Sequence, residues 1–170
     1  MKRMFLSLAL LLLLSAAPAQ AAQWIPWPAP ENTNGEQARF NRFFDKETVR
    51  FLYKDGDIQS IYFWCKNVPV NESKLDHFIT LNCININKNG AENTNVAEYF
   101  SLFTMRSKDG QSLADKHESW TFFGENNGTT LKGMDVIFEE LKADTDEERL
   151  TRVISSPLDV QKEVLPESVF

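Results

Sequence analysis

Histidine and cysteine each occur only twice in the 170 residues of this chain, and their scarcity removes most familiar catalytic and metal-binding arrangements. His117-Glu118 lacks the second histidine that a zinc helix of the His-Glu-x-x-His kind requires, because Thr121 stands at that position. His77, in an apolar stretch after Asp76, is the other imidazole. Cys65 and Cys83 form no Cys-x-x-Cys pair, and neither has enough candidate ligands nearby for a zinc site. Glycine-rich signatures are missing too: the chain has no Gly-x-Ser-x-Gly elbow, no Walker loop and no dinucleotide fingerprint. The acidic pairs do not follow calcium-loop spacing, and Glu139-Glu140 and Glu147-Glu148, adjacent on a helix, diverge onto solvated faces. The expectation is a protein that uses no cofactor or metal and is not catalytic.

Long apolar runs and basic clusters are also lacking. The main apolar run, Phe5 to Leu14, is too short to span a bilayer. It follows Lys2 and Arg3 and precedes the small-x-small site Ala19-Gln20-Ala21, the anatomy of a secretory signal peptide over residues 1–21. The mature chain is expected to start at Ala22 in a periplasmic or secreted, oxidising setting, with no direct membrane insertion after cleavage. It would carry 16 basic and 24 acidic side chains, a balance of −8. Such a chain repels phosphate backbones and anionic headgroups, so nucleic acid is not an expected partner. In that compartment Cys65 and Cys83 are expected to form one disulfide.

What the chain has in quantity is aromatic side chains, with 13 Phe and 4 Trp. Residues 22–34 form an arm whose segment Trp24-Ile-Pro-Trp-Pro-Ala-Pro30 excludes helix and predicts an extended or polyproline II chain. Trp24 and Trp27, three apart, would project from one side of it, either as anchors for a protein partner or onto the domain's own core. Residues 35–166 read as a single domain and 167–170 as a loose tail. Asn34, Gln37 and the spacing of Phe40, Phe43 and Phe44 predict a first helix. Thr48–Tyr53 and Ile58–Cys65 flank Asp55-Gly56 and predict a β-hairpin with a type I′ turn, pairing Tyr53 with Ile58 and Phe51 with Ser60. Residues 75–86 and 96–106 are open to either helix or strand, and the asparagine-rich stretch from Asn82 to Asn95 reads as a loop.

Further on, Lys108-Asp109-Gly110 and Asn126-Asn127-Gly128 predict turns, with a strand around Trp120, Phe122 and Phe123. Leu131 to Leu141 has helical spacing. Thr145 and Glu148 make a capping box ahead of Leu150, Val153 and Ile154, and Ser156-Pro157 starts a last helix. Asn71 and Asn127 head glycosylation sequons, relevant only where the source glycosylates. The fold expected is α+β, a small antiparallel sheet built on the hairpin with flanking helices. The function expected is an exported, non-catalytic protein-binding module: an accessory subunit, inhibitor or immunity-type protein of the cell envelope. An exported hydrolase with a serine or carboxylate site, or a small-ligand carrier, is the alternative.

Overall fold

Asp55 and Gly56 both adopt positive φ, 53° and 87°, as a two-residue type I′ turn demands. In the computed structural model, which describes residues 22–28, 39–71, 74–88, 94–114, 121–125 and 128–162, this turn joins β3 (Arg50–Lys54) to β4 (Asp57–Pro69). Tyr53 pairs with Ile58 as expected, but Phe51 pairs with Ile61 because the register shifts between Leu52 and Tyr53. The extra residue is Gln59. One inserted residue exchanges the faces of everything beyond it. Phe51 thus joins Ile61, Phe63 and Cys65 on one face, while Leu52 joins Tyr62 and Trp64 on the other.

The expected α+β fold with a small sheet is corrected: strands dominate, in one curled half-barrel sheet of nine, and the helices are short. Both open segments are strands. β5 (Leu75–Lys88) and β6 (Thr94–Ser107) pair along nearly their whole length, so most of the asparagine-rich stretch lies in the sheet rather than in a loop. The predicted first helix is also a strand, β2 (Phe40–Asp45), which pairs with the far half of β4 and buries Phe44 completely. Asn34 and Gln37 lie outside the described residues. Of the two conformations open to the arm, its described part takes the extended one: β1 (Trp24–Pro26) pairs antiparallel with β2.

The nine strands occupy six rows. A 3-10 turn at Lys46–Thr48 separates β2 from β3, and both lie along the same edge of β4. β7 (Ser112–Ala114) and β8 (Thr121–Glu125) share the outer edge of β6 in the same way. β1 continues the row beyond β2, and β9 (Val153–Ile154) adds a short parallel pairing beyond β3. The turn at Lys108–Gly110 and the strand after Trp120 stand where expected, although Trp120 itself lies outside the described residues.

α1 (Gly128–Glu140) lies against the face carrying Phe44, Phe63 and Ile84, into which it buries Ile137. α2 (Asp146–Thr151) opens on the expected capping box, Thr145 accepting from the Glu148 amide and Glu148 from that of Thr145. The stripe assigned to this helix is divided, since Leu150 is exposed while Val153 and Ile154 leave the helix to form β9. Pro157 opens α3 (Pro157–Lys162), with the Ser156 hydroxyl accepting from the Leu158 amide. Among the described residues, no helix is long and apolar enough to cross a membrane.

Candidate functional site

Alternation along β2, β4, β5 and β6 sends several polar side chains into the interior beneath α1. Glu98 of β6 is 1% exposed. One of its carboxylate oxygens accepts from the Arg42 guanidinium and from Asn82 Nδ2 at 2.8 Å, and the other from Thr130 Oγ1 at 2.9 Å. The chain of bonds continues from Thr80 Oγ1 to Asn82 (2.6 Å) and from Asn67 Nδ2 to Thr80 (3.2 Å). Arg42 lies over the Trp27 ring, 5.1 Å from its centroid. Burial opposes the charge on Arg42, but the neighbouring Cys65 and Glu98 favour it and raise its pKa overall. Both oxygens of the carboxylate are engaged by protein donors, so the cluster is a satisfied internal tie between sheet and helix. It offers no position for a reacting atom.

The expected disulfide is not formed: Cys65 and Cys83 are free, buried thiols. Cys65 stands opposite Thr80 and Cys83 opposite Tyr62, three rungs apart and on opposite faces of the sheet. At the usual strand rise this is about 10 Å along the strand, beyond disulfide reach. Burial pushes the Cys65 thiol up in pKa, and raises that of Cys83 to about 11. Both are therefore protonated and poorly nucleophilic at neutral pH.

Trp24 and Trp27 do not share a side. Three positions along a strand bring opposite faces, so Trp24 packs half-buried with Trp64 and Leu81 while Trp27 enters the α1 face. There Trp27 stacks on Phe63 at 5.1 Å and meets Phe44 edge-on. Gly133 of α1 makes room for it, since a Cβ at that position would lie 2.1 Å from the indole ring.

His77 is buried at the start of β5, its Nδ1 2.6 Å from Asp76 Oδ2. The hydrogen bond to His77 is the main reason the Asp76 pKa is lowered. This resembles the base and orienting carboxylate of a hydrolase, but His77 Nε2 has no hydrogen-bond partner among the described residues, a serine included. His117 lies outside them. No group of three or more potential metal ligands occurs among the described residues.

A concave feature with mixed chemistry is a cleft of about 330 Å³ between the hairpin tip and α1. Its apolar wall is Phe51, Tyr53, Ile58, Phe138 and Leu141, with Phe51 and Phe138 stacked at 6.1 Å. Three cations, Lys142, Arg149 and Arg152, complete the lining. Arg152 is buried and committed: Nε donates to Asp144 at 2.7 Å and Nη1 to the Lys46 carbonyl at 2.8 Å, which anchors the 3-10 turn. Lys142 and Arg149 are instead at the solvent side, with loose contacts to Glu139 (3.4 Å) and Asp146 (3.7 Å). None of these cleft residues was singled out as a site by sequence. The available signal was the capping box at Thr145, which places Arg149 beside the end of α1. No protein-family model, curated protein or solved structure matches this chain.

Proposed function

We propose that the protein is an exported, non-catalytic protein-binding module that receives an apolar side chain of its partner in the cleft between hairpin and α1. The observation that carries this is the half-exposed aromatic wall: Tyr53 is 45% and Phe138 41% exposed at its mouth. Leu150 and Val153, from the elements that close the same end of the molecule, are also exposed. Apolar surface gathered around a concave site, with exposed charges at its rim, is the usual anatomy of a protein contact. The Glu98 cluster is taken up in the fold and the two thiols are held protonated, which supports a binding role over chemistry.

The test is a photoreactive amino acid placed at position 138 in the producing cell, with the same group at Leu113, an exposed residue on β7. A discrete protein adduct from position 138 but not from 113 is expected. Equal labelling from the two positions, or none from either, would reject the cleft as the contact site.

A further inference from the structure

Resting on that binding reading, we infer that the partner segment carries a carboxylate beside its apolar side chain. It is an acidic apolar peptide segment, whose Asp or Glu side chain is met by Lys142 and Arg149 at the rim. The chain as a whole is acidic, with a net charge of −6, yet the charged groups lining this cleft are all cations. Their placement is not incidental to a salt bridge of the fold. Arg152 supplies the structural bond to Asp144, whereas Lys142 and Arg149 are 72% and 54% exposed in their side chains.

The carboxylates facing these two cations are Glu139 and Asp146, themselves 73% and 100% exposed. Contacts of that kind are screened by water and contribute little, so an incoming carboxylate can displace them. Arg149 is also oriented: its Nη2 donates to the Lys142 carbonyl at 3.1 Å, which ties the guanidinium to the end of α1. A guanidinium held at one edge keeps further N–H groups for a ligand carboxylate. The aromatic wall then fixes what accompanies the charge. The buried Phe51 ring backs the exposed Phe138 ring, the two nearly parallel at 7° between planes, and so steadies the apolar side chain that a bulky partner group would meet at the mouth.

The experiment is selection of a random heptapeptide display library with free C-termini against the immobilised mature chain. Parallel selections use Phe138→Ser and the double variant Lys142→Glu/Arg149→Glu, each first checked for an unchanged melting temperature. Enriched peptides should pair a bulky apolar residue with Asp or Glu within two positions, and dependence on the C-terminal carboxylate alone would overturn the acidic segment. For the best of them, replacement of the acidic residue by its amide, or the double charge reversal, should weaken binding at least tenfold. Enrichment of neutral or basic apolar peptides that depend on Phe138 would overturn the carboxylate while leaving the cleft as a binding site. A selection that gives the same peptides with Phe138→Ser, or no enrichment at all, would overturn the cleft reading itself.

Discussion

Glu98 shows how a single residue can be misread when its partners lie far away in sequence. Beside Asn95 it resembles a helix-capping carboxylate, yet it sits in a strand and meets Arg42, Asn82 and Thr130, up to 56 positions distant. Polar residues at Thr80, Asn82 and Glu98 also blur the alternation that identifies a strand, because here they are buried rather than solvated. Removing the charge while keeping the shape tests the tie. Glu98→Gln leaves the Arg42 guanidinium buried without its counter-charge, and stability should fall by about 3–5 kcal/mol. Adding Arg42→Met removes the uncompensated charge and should recover part of that loss in the urea midpoint. Strictly additive losses would mean that the two groups are energetically independent.

The thiols make a second residue-scale case. The inference from compartment to disulfide needed the two cysteines on one face, and pairing register, which the spacing 65 to 83 does not reveal, places them on opposite faces. The Cys83 pKa is raised from 9.0 to about 11. The folded state therefore keeps a proton that the unfolded chain releases, and stability falls as pH rises from about 9 to about 11. Denaturation midpoints measured across that range should drop more steeply for the wild type than for Cys83→Ala. Parallel slopes would assign the alkaline loss to other groups.

Among elements, those governed by a local chemical requirement were legible. The Asp55-Gly56 turn, the Thr145/Glu148 capping box, Pro157 at a helix start and the apolar period of α1 all stand where the residues predict them. Elements decided by pairing were not: aromatic residues at Phe40, Phe43 and Phe44 fit either a helical stripe or a strand, and the free edge of β4 decides. The cleft was illegible for the same reason, since it needs the hairpin tip and the end of α1 brought together. Gly133 separates local from tertiary preference. On helix propensity alone, Gly133→Ala should stabilise α1 by about 1 kcal/mol. The Trp27 ring occupies the space a methyl group would need, so the variant should lose about 1–3 kcal/mol through overpacking, with a shift in tryptophan emission. A gain in the denaturation midpoint would show that Trp27 can yield its position at little cost.

At the scale of the whole molecule, Trp27 is one place where the arm, the sheet and α1 meet. It follows the outermost strand β1, its amide donates to the Arg42 carbonyl at 2.8 Å, and its ring packs on Phe63 of β4 beneath Gly133 of α1. One indole thus touches the sheet and the helix at once. An arm that served only a partner could be removed without consequence for the rest, whereas this one buries Trp27 against the core side chains Phe44 and Phe63. Trp27→Ala should therefore cost about 3–5 kcal/mol, the range for emptying a large aromatic site. Because the same ring touches sheet and helix, the loss should appear as one transition, with helical circular dichroism and the emission of the remaining tryptophans changing together. An unaltered midpoint would detach the arm from the core. Two separated transitions would instead show that α1 and the sheet unfold as independent units, with Trp27 merely resting between them.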